Sequence, residues 1–358
     1  MSLNSNCRGA ARPAAALLLV LASGCAAATT PAGTVQRRLG AMGTWLDVEV
    51  EAADRATALQ ASEAAVRAVE SAETRLSTWT PDGELARLNR ARVGALQALS
   101  PTLAAELAAA FAWSQRLDGA FDPAVGPLVA VWDLRGAGRV PTAAALAAAR
   151  EASGLRRFAL RPDGLVRLHP GAALEEGGFG KGAGLDAALA AATAAGASRL
   201  VLDLGGQVLV AGGRHLLRLA DPADRGRAVL ALEIDAGSLA TSGNAERGLL
   251  VAGRRLGHLL DPRTGAPAPD FGSLSVLAPN ALAADCLSTA LFVLGPDAAL
   301  RFAAAEPQVE VLILQRDAEG LRARLTQGLE SRLTALAPEL RLQVFSPAPQ
   351  RMNLLHDR

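Results

Sequence analysis

Residues 44–51, TWLDVEVE, alternate apolar and polar side chains, and the pattern then changes so that Ala58, Ala61, Ala65, Val69 and Leu76 share one helical face. A period of two gives a strand one buried side, and a period near 3.6 gives a helix one apolar stripe. A helix is therefore expected over 54–76, with acids and arginines on its other face. The same switching continues along the chain. A turn at Pro81-Asp82-Gly83 leads into a short helix within 77–90, Pro101 opens a helix over 101–118, and 122–134 reads as an irregular segment with two prolines. A helix over 141–153 closes this first region. Strand-turn-strand patterns cover 157–175, and a helix runs from the glycines at 177–182 to about Ala195. Strands follow at 199–204, 207–219, 228–234 and 273–278, then a helix at 281–294 and further β and α segments to about 346. No repeat and no Pro/Gly-rich linker divides the chain, which predicts one interleaved α+β body.

At 358 residues the chain is long enough for two domains, or for one body with two lobes and a large core. Its 36 Lys+Arg against 35 Asp+Glu leave a net charge of +1. That gives no electrostatic support for nonspecific binding to nucleic acid.

Residues 1–12 carry Arg8 and Arg12 without an acid, 14–22 are the apolar run AAALLLVLA, and Ala22-Ser23-Gly24-Cys25 follows. This is the layout of a bacterial lipoprotein signal, too short to span a bilayer as a helix. The expected division is a signal at 1–24, a tether at 25–35, a folded domain at 36–346 and a tail at 347–358. Cys25 would carry the lipid, which places the protein on the cell membrane facing the periplasm; a plain secretory signal and an uncleaved anchor are the alternatives. Of the three cysteines, Cys7 and Cys25 fall in this leader, and Cys286 reads as a small buried residue.

Two glycine clusters resist nucleotide-binding labels. Gly177-Gly178-Phe179-Gly180-Lys181-Gly182 lacks the first Gly and the final Ser/Thr of a Walker A loop, and Gly205-Gly206 lacks G-x-G-x-x-G spacing. The first cluster still sets backbone N–H groups and Lys181 ahead of a helix, a place where an anion can be held; a tight strand-to-helix turn explains it equally well. Asp285 and Thr289, four apart on the expected 281–294 helix, present a carboxylate and a hydroxyl on one face. Asp285 also reads as a helix N-cap.

Six collinear segments carry a family resemblance: Met42-Gly43-Thr44; Leu76-Ser77 with Trp79 and Glu84-Leu85; Ala120 to Pro123 with Val125 to Leu128; Gly177-Gly178 with Lys181-Gly182 and Asp186; Thr241-Ser242-Gly243 with Glu246-Arg247, His258 and Asp261 to Gly265; and Ala284-Asp285 with Thr289. In that order they resemble the ApbE family of FAD:protein FMN transferases over about residues 35–315. The resemblance implies a two-lobed, T-fold-related body with mixed and antiparallel sheets flanked by helices. It also implies an enzyme that takes FAD as substrate, moves FMN to a threonine or serine hydroxyl of an acceptor redox protein, and releases AMP. On the matching positions, Asp285, Thr289 and the Gly178 carbonyl would hold Mg²⁺, and His258 would be the general base, with a structural role at the adjacent turn as its alternative. Met42, Trp79, Ala120, Phe121, Asp122, Glu175, Lys181 and Leu259 would contact FAD, as would Thr241, Ser242 and Arg247; core packing is the other role open to Trp79.

The chain departs from the family at Glu175-Glu176, where Asp-Leu is usual, at Ala183 in place of an aromatic, and at Asn244-Ala245 in place of an acidic-aromatic pair. Glu176 then needs solvent or a partner. Two further readings therefore stay open: an FAD pyrophosphatase that gives FMN and AMP, and a lipoprotein that binds FAD without chemistry.

Overall fold

The computed structural model describes residues 33–244, 249–251 and 254–346. The leader with Cys25, the tail and Arg247 lie outside the described residues. Nine strands form the main sheet in the order of the chain: Thr34–Ala41, Thr44–Ala52, Ala197–Leu204, Gln207–Ala211, Gly237–Gly243, Ser273–Ala278, Glu310–Asp317, Gly320–Thr326 and Arg341–Phe345. Every neighbouring pair is antiparallel except the last, Gly320–Thr326 with Arg341–Phe345, which is parallel. One lobe is inserted between the second and third strands. It carries the helices Glu84–Arg90, Pro101–Arg116, Gly126–Val131 and Ala143–Ala152 and a small sheet. A second small sheet, formed by His215–Asp221, Asp224–Ile234 and Leu333–Ala335, covers the other face of the main sheet.

The expected alternation sets up these layers. Leu46, Val48 and Val50 point to one face, where Ala58, Ala61, Ala65 and Val69 of the Arg55–Leu76 helix meet them together with Leu185, Ala188 and Ala192 of the Gly180–Ala194 helix. The central strands are covered on both sides: Leu209 joins that cluster, and Val208 and Val210 join the cluster under the second small sheet. Helix starts follow local rules, with Asp54, Ser100 and Asn280 each accepting a backbone N–H of the first turn.

Three expectations need correction. The first strand opens at Thr34, and Thr34 and Val35 are buried, so the folded domain takes in the last residues assigned to the tether. The segment 122–134 is not wholly irregular: Gly126–Val131 is a helix with Pro127 in its first turn, where a missing N–H is harmless. The run 207–219 is two strands, broken at Gly212, whose positive φ of 80° lets the backbone pass where a Cβ would meet the Ser198 carbonyl at 2.0 Å.

One crossing positions the site. The Ala281–Leu294 helix is apolar nearly all round and buried, and its N-terminus abuts Gly182 of the Gly180–Ala194 helix. A Cβ on Gly182 would stand 2.3 Å from the Ala281 carbonyl oxygen and 2.6 Å from Leu282 Cα. Asp186, one turn further on, accepts from the Ala281 and Leu282 N–H groups at 2.7 and 2.9 Å. Because backbone rather than a flexible side chain fills the space at Gly182, Gly182→Ala should lower stability by about 3 kcal/mol, the upper end of overpacking. Urea unfolding monitored by far-UV circular dichroism checks this; an unchanged midpoint would contradict so close a crossing.

Candidate functional site

Between the inserted lobe and the main sheet lies a cavity of about 750 Å³. Its wall contains each described residue that the resemblance assigns to FAD, to the cation or to base catalysis: Met42, Trp79, Ala120, Phe121, Asp122, Glu175, Gly178, Lys181, Thr241, Ser242, His258, Leu259, Asp285 and Thr289. Seven separate stretches of chain therefore converge on one space.

At its floor stands Asp285, 3% exposed and the only charged residue of the Ala281–Leu294 helix. It is not an N-cap, since Asn280 holds that position. Its carboxylate accepts from the Gly182 N–H at 3.1 Å and pairs with Lys181 Nζ at 3.3 Å. Thr289 lies one turn along, and Gly178 lies beside it: a Cβ there would stand 3.4 Å from Thr289 Oγ1 and 3.0 Å from the Phe121 ring. A carboxylate, a hydroxyl and a nearby carbonyl are hard oxygen donors, which suit a small divalent cation that keeps part of its water shell. Ser288 Oγ donates to the Asp285 carbonyl at 3.0 Å and accepts from Ser242 Oγ at 3.0 Å, tying this helix to the Gly237–Gly243 strand. Thr241 shares a hydrogen bond with Ser275 at 2.8 Å.

Met42 and Gly43 turn the first hairpin with both φ positive, at 48° and 70°, the conformation of a two-residue type I′ turn. Met42 Sδ thereby reaches the close approach that Gly184 leaves open. Trp79 is not a core residue: it is 66% exposed at the cavity mouth, with the Arg135 guanidinium 4.5 Å from its ring centre. Glu175 and Glu176 lie in a loop, not at a strand end, and both have partners. Arg135 pairs with Glu175 at 2.5 Å, and Thr78 Oγ1 donates to Glu176 at 2.5 Å. Burial, reinforced by the neighbouring Glu176 charge, raises the Glu175 carboxyl above its ordinary range.

His258 is half-buried in the wall ahead of a tight turn in which Gly265 N–H donates to the Asp261 carbonyl at 2.7 Å and Arg263 pairs with Asp261 at 2.9 Å. Trp132 Nε1 donates to the Gly265 carbonyl at 2.7 Å, anchoring the turn to the inserted lobe. His215 opens a strand and lies 3.4 Å from Arg199. Cys286 is fully buried, and burial pushes its thiol up.

Sequence reasoning missed Arg135, Ser275 and Ser288. Arg135 follows a helix the sequence did not suggest, and its neighbours in the chain carry no pattern that marks it. The two serines are ordinary polar positions until the Gly237–Gly243 and Ser273–Ala278 strands pair.

Asp122 accepts from the Ala124 and Leu155 N–H groups, yet burial outweighs these bonds and raises its pKa to about 6. The folded protein thus binds a proton more tightly than the unfolded chain between pH of about 4 and 6. Stability falls as pH rises through that window, and the loss persists above it. Asp122→Asn should remove this contribution, shrinking the stability difference between acidic and neutral pH by about 1–2 kcal/mol. Denaturant titrations of both proteins at the two ends of the window measure it, and equal slopes would contradict it.

This chain is similar to known proteins in sequence and in fold. The family model described as "ApbE family" matches residues 42–313. A protein of Klebsiella pneumoniae (strain 342) named FAD:protein FMN transferase is 32% identical over 323 residues, covering 85% of this chain and 91% of that protein. A protein of Rhodobacter capsulatus with the same name is 36% identical, covering 80% of this chain, which spans 56% of that longer protein. The solved structure titled Flavin Transferase ApbE from Vibrio cholerae superposes with a TM-score of 0.73 at 25% identity, covering 84% of this chain and 100% of that one.

Proposed function

This chain belongs to the ApbE family, and we propose that its cavity binds FAD and transfers the FMN half to a threonine or serine hydroxyl of a target flavoprotein, releasing AMP. The observation that supports this most is the convergence of the Asp285, Thr289 and Gly178 oxygens with Lys181, His258 and Trp79 around one cavity.

In this reading the acceptor hydroxyl oxygen attacks the phosphorus on the FMN side of the pyrophosphate. The bond from that phosphorus to the bridging oxygen breaks, and the bridging oxygen leaves with AMP. The hydroxyl proton passes to the His258 imidazole, a group whose ordinary pKa lies near neutral pH. We assign Mg²⁺ to Asp285, Thr289 and the Gly178 carbonyl; bound there, it would neutralise pyrophosphate oxygens. Lys181 sets a second cation beside the same carboxylate on the cavity wall, where it would face the phosphates. Met42, Phe121 and Trp79 supply apolar surface for the rings. The Thr241–Ser275 bond joins two strands of the wall, and the Ser242–Ser288 bond holds that wall against the core helix.

For location we propose lipidation at Cys25 and a tethered enzyme facing the periplasm. Among the described residues no helix is long and apolar enough to cross a membrane, so this anchoring rests on the leader sequence.

Intact mass of a threonine-bearing acceptor domain, after incubation with this chain, FAD and Mg²⁺, should rise by one FMN and remain unchanged with a chelator. Asp285→Ala should abolish the gain, and His258→Gln should slow it by about 10²- to 10⁴-fold, the usual worth of a general base. Full transfer by Asp285→Ala would contradict the cation site. Free FMN and AMP without acceptor mass would replace transfer by attack of water, and bound FAD without products would leave a carrier.

A further inference from the structure

We propose that Arg135 is a positioning residue of the cavity, which holds the Trp79 indole at the mouth and offsets the charge of Glu175 and Glu176 so that an anionic dinucleotide can enter. The proposal rests on the reading of this cavity as an FAD site.

One guanidinium gathers four groups. It stands 4.5 Å from the centre of the Trp79 ring, pairs with Glu175 Oε2 at 2.5 Å, and lies 3.8 Å from Glu176 Oε2. It also donates to the Thr78 carbonyl at 3.3 Å and to Thr78 Oγ1, the hydroxyl that in turn donates to Glu176. Trp79, Arg135, Glu175 and Glu176 all line the cavity. Together with Glu175, the arginine also forms part of the wall of a smaller space of about 250 Å³ beside Asn89 and Asp133.

Two adjacent, largely buried carboxylates at the mouth of a site for a pyrophosphate set like charges against each other and against the ligand. A family site with one acid followed by an apolar residue does not have this problem; this chain has it because Glu176 follows Glu175. Arg135 is the cation in direct contact with both acids. Its second contact addresses ordering. An indole that is 66% exposed would lose rotamer freedom on stacking against a flavin or adenine ring, and a guanidinium on one face fixes it in advance while leaving the other face open. The raised Glu175 carboxyl agrees with this arrangement, since it reflects burial and the Glu176 charge only partly offset by Arg135.

The test measures FAD affinity of the full chain without acceptor, by quenching of flavin fluorescence. Wild type, Arg135→Met, Arg135→Met with Glu176→Gln, and Arg135→Lys are compared, with thermal unfolding recorded for each. Arg135→Met should weaken FAD binding at least tenfold, and adding Glu176→Gln should recover at least threefold of that loss. Arg135→Lys keeps the charge and should bind within fivefold of wild type. It loses the planar stack, so the emission of Trp79, taken as the difference from Trp79→Phe, should show lower anisotropy. Binding of Arg135→Met within twofold of wild type overturns the proposal, as does a double variant no better than Arg135→Met. If Arg135→Met does not fold, Arg135→Lys decides: wild-type affinity together with unchanged Trp79 anisotropy overturns the positioning role. Failure of the wild type to bind FAD overturns the FAD reading itself, which the Arg135 series on its own does not do.

Discussion

The close approach of two helices at Gly182 is the contact on which the rest of the site depends. With no side chain at that position, the Ala281–Leu294 helix seats its first turn directly on the Gly180–Ala194 helix, and Asp186 takes up its first two free N–H groups. The same approach sets the Gly182 N–H against the Asp285 carboxylate. A buried carboxyl needs hydrogen-bond partners, and here they are supplied by the glycine segment that also sets Gly178 beside Thr289. Fold stability and the oxygen cluster thus share one geometric cause.

Charge is handled differently at the two ends of the cavity. At the floor, Asp285 is held by one backbone donor and Lys181, an arrangement that a cation and a phosphate can take over by exchanging partners. At the mouth, Glu175 and Glu176 are held by Arg135 and Thr78 within a network that also fixes an aromatic ring. In the proposed reading the dinucleotide's pyrophosphate would lie at the floor and one of its rings at the mouth, because the floor joins hard oxygen donors to a lysine and the mouth presents an exposed indole.

Much of this was legible in the sequence, for physical reasons that differ by element. The 44–51 strand and 54–76 helix declare themselves because each has one buried face, so burial writes its period into the residues. The collinear segments were readable because the site uses short, chemically specific stretches such as Gly177-Gly178 and Asp285 with Thr289. The Gly126–Val131 helix was hidden by its own Pro127, which looks like a breaker until one sees that it occupies the first turn. Arg135 was hidden because its role exists only where three distant stretches meet: Thr78 with Trp79, Glu175 with Glu176, and its own loop. The break at Gly212 was invisible because it answers to the Ser198 carbonyl of a neighbouring strand, not to anything local.

The most direct measurement of the central claim is anomalous scattering from crystals of this chain grown with FAD and Mn²⁺ as a stand-in for Mg²⁺. The account predicts a metal peak bounded by the Asp285 carboxylate, the Thr289 hydroxyl and the Gly178 carbonyl, with FAD phosphate oxygens completing it. A peak at the Glu175–Glu176 pair, or bound FAD with no metal beside Asp285, would contradict it.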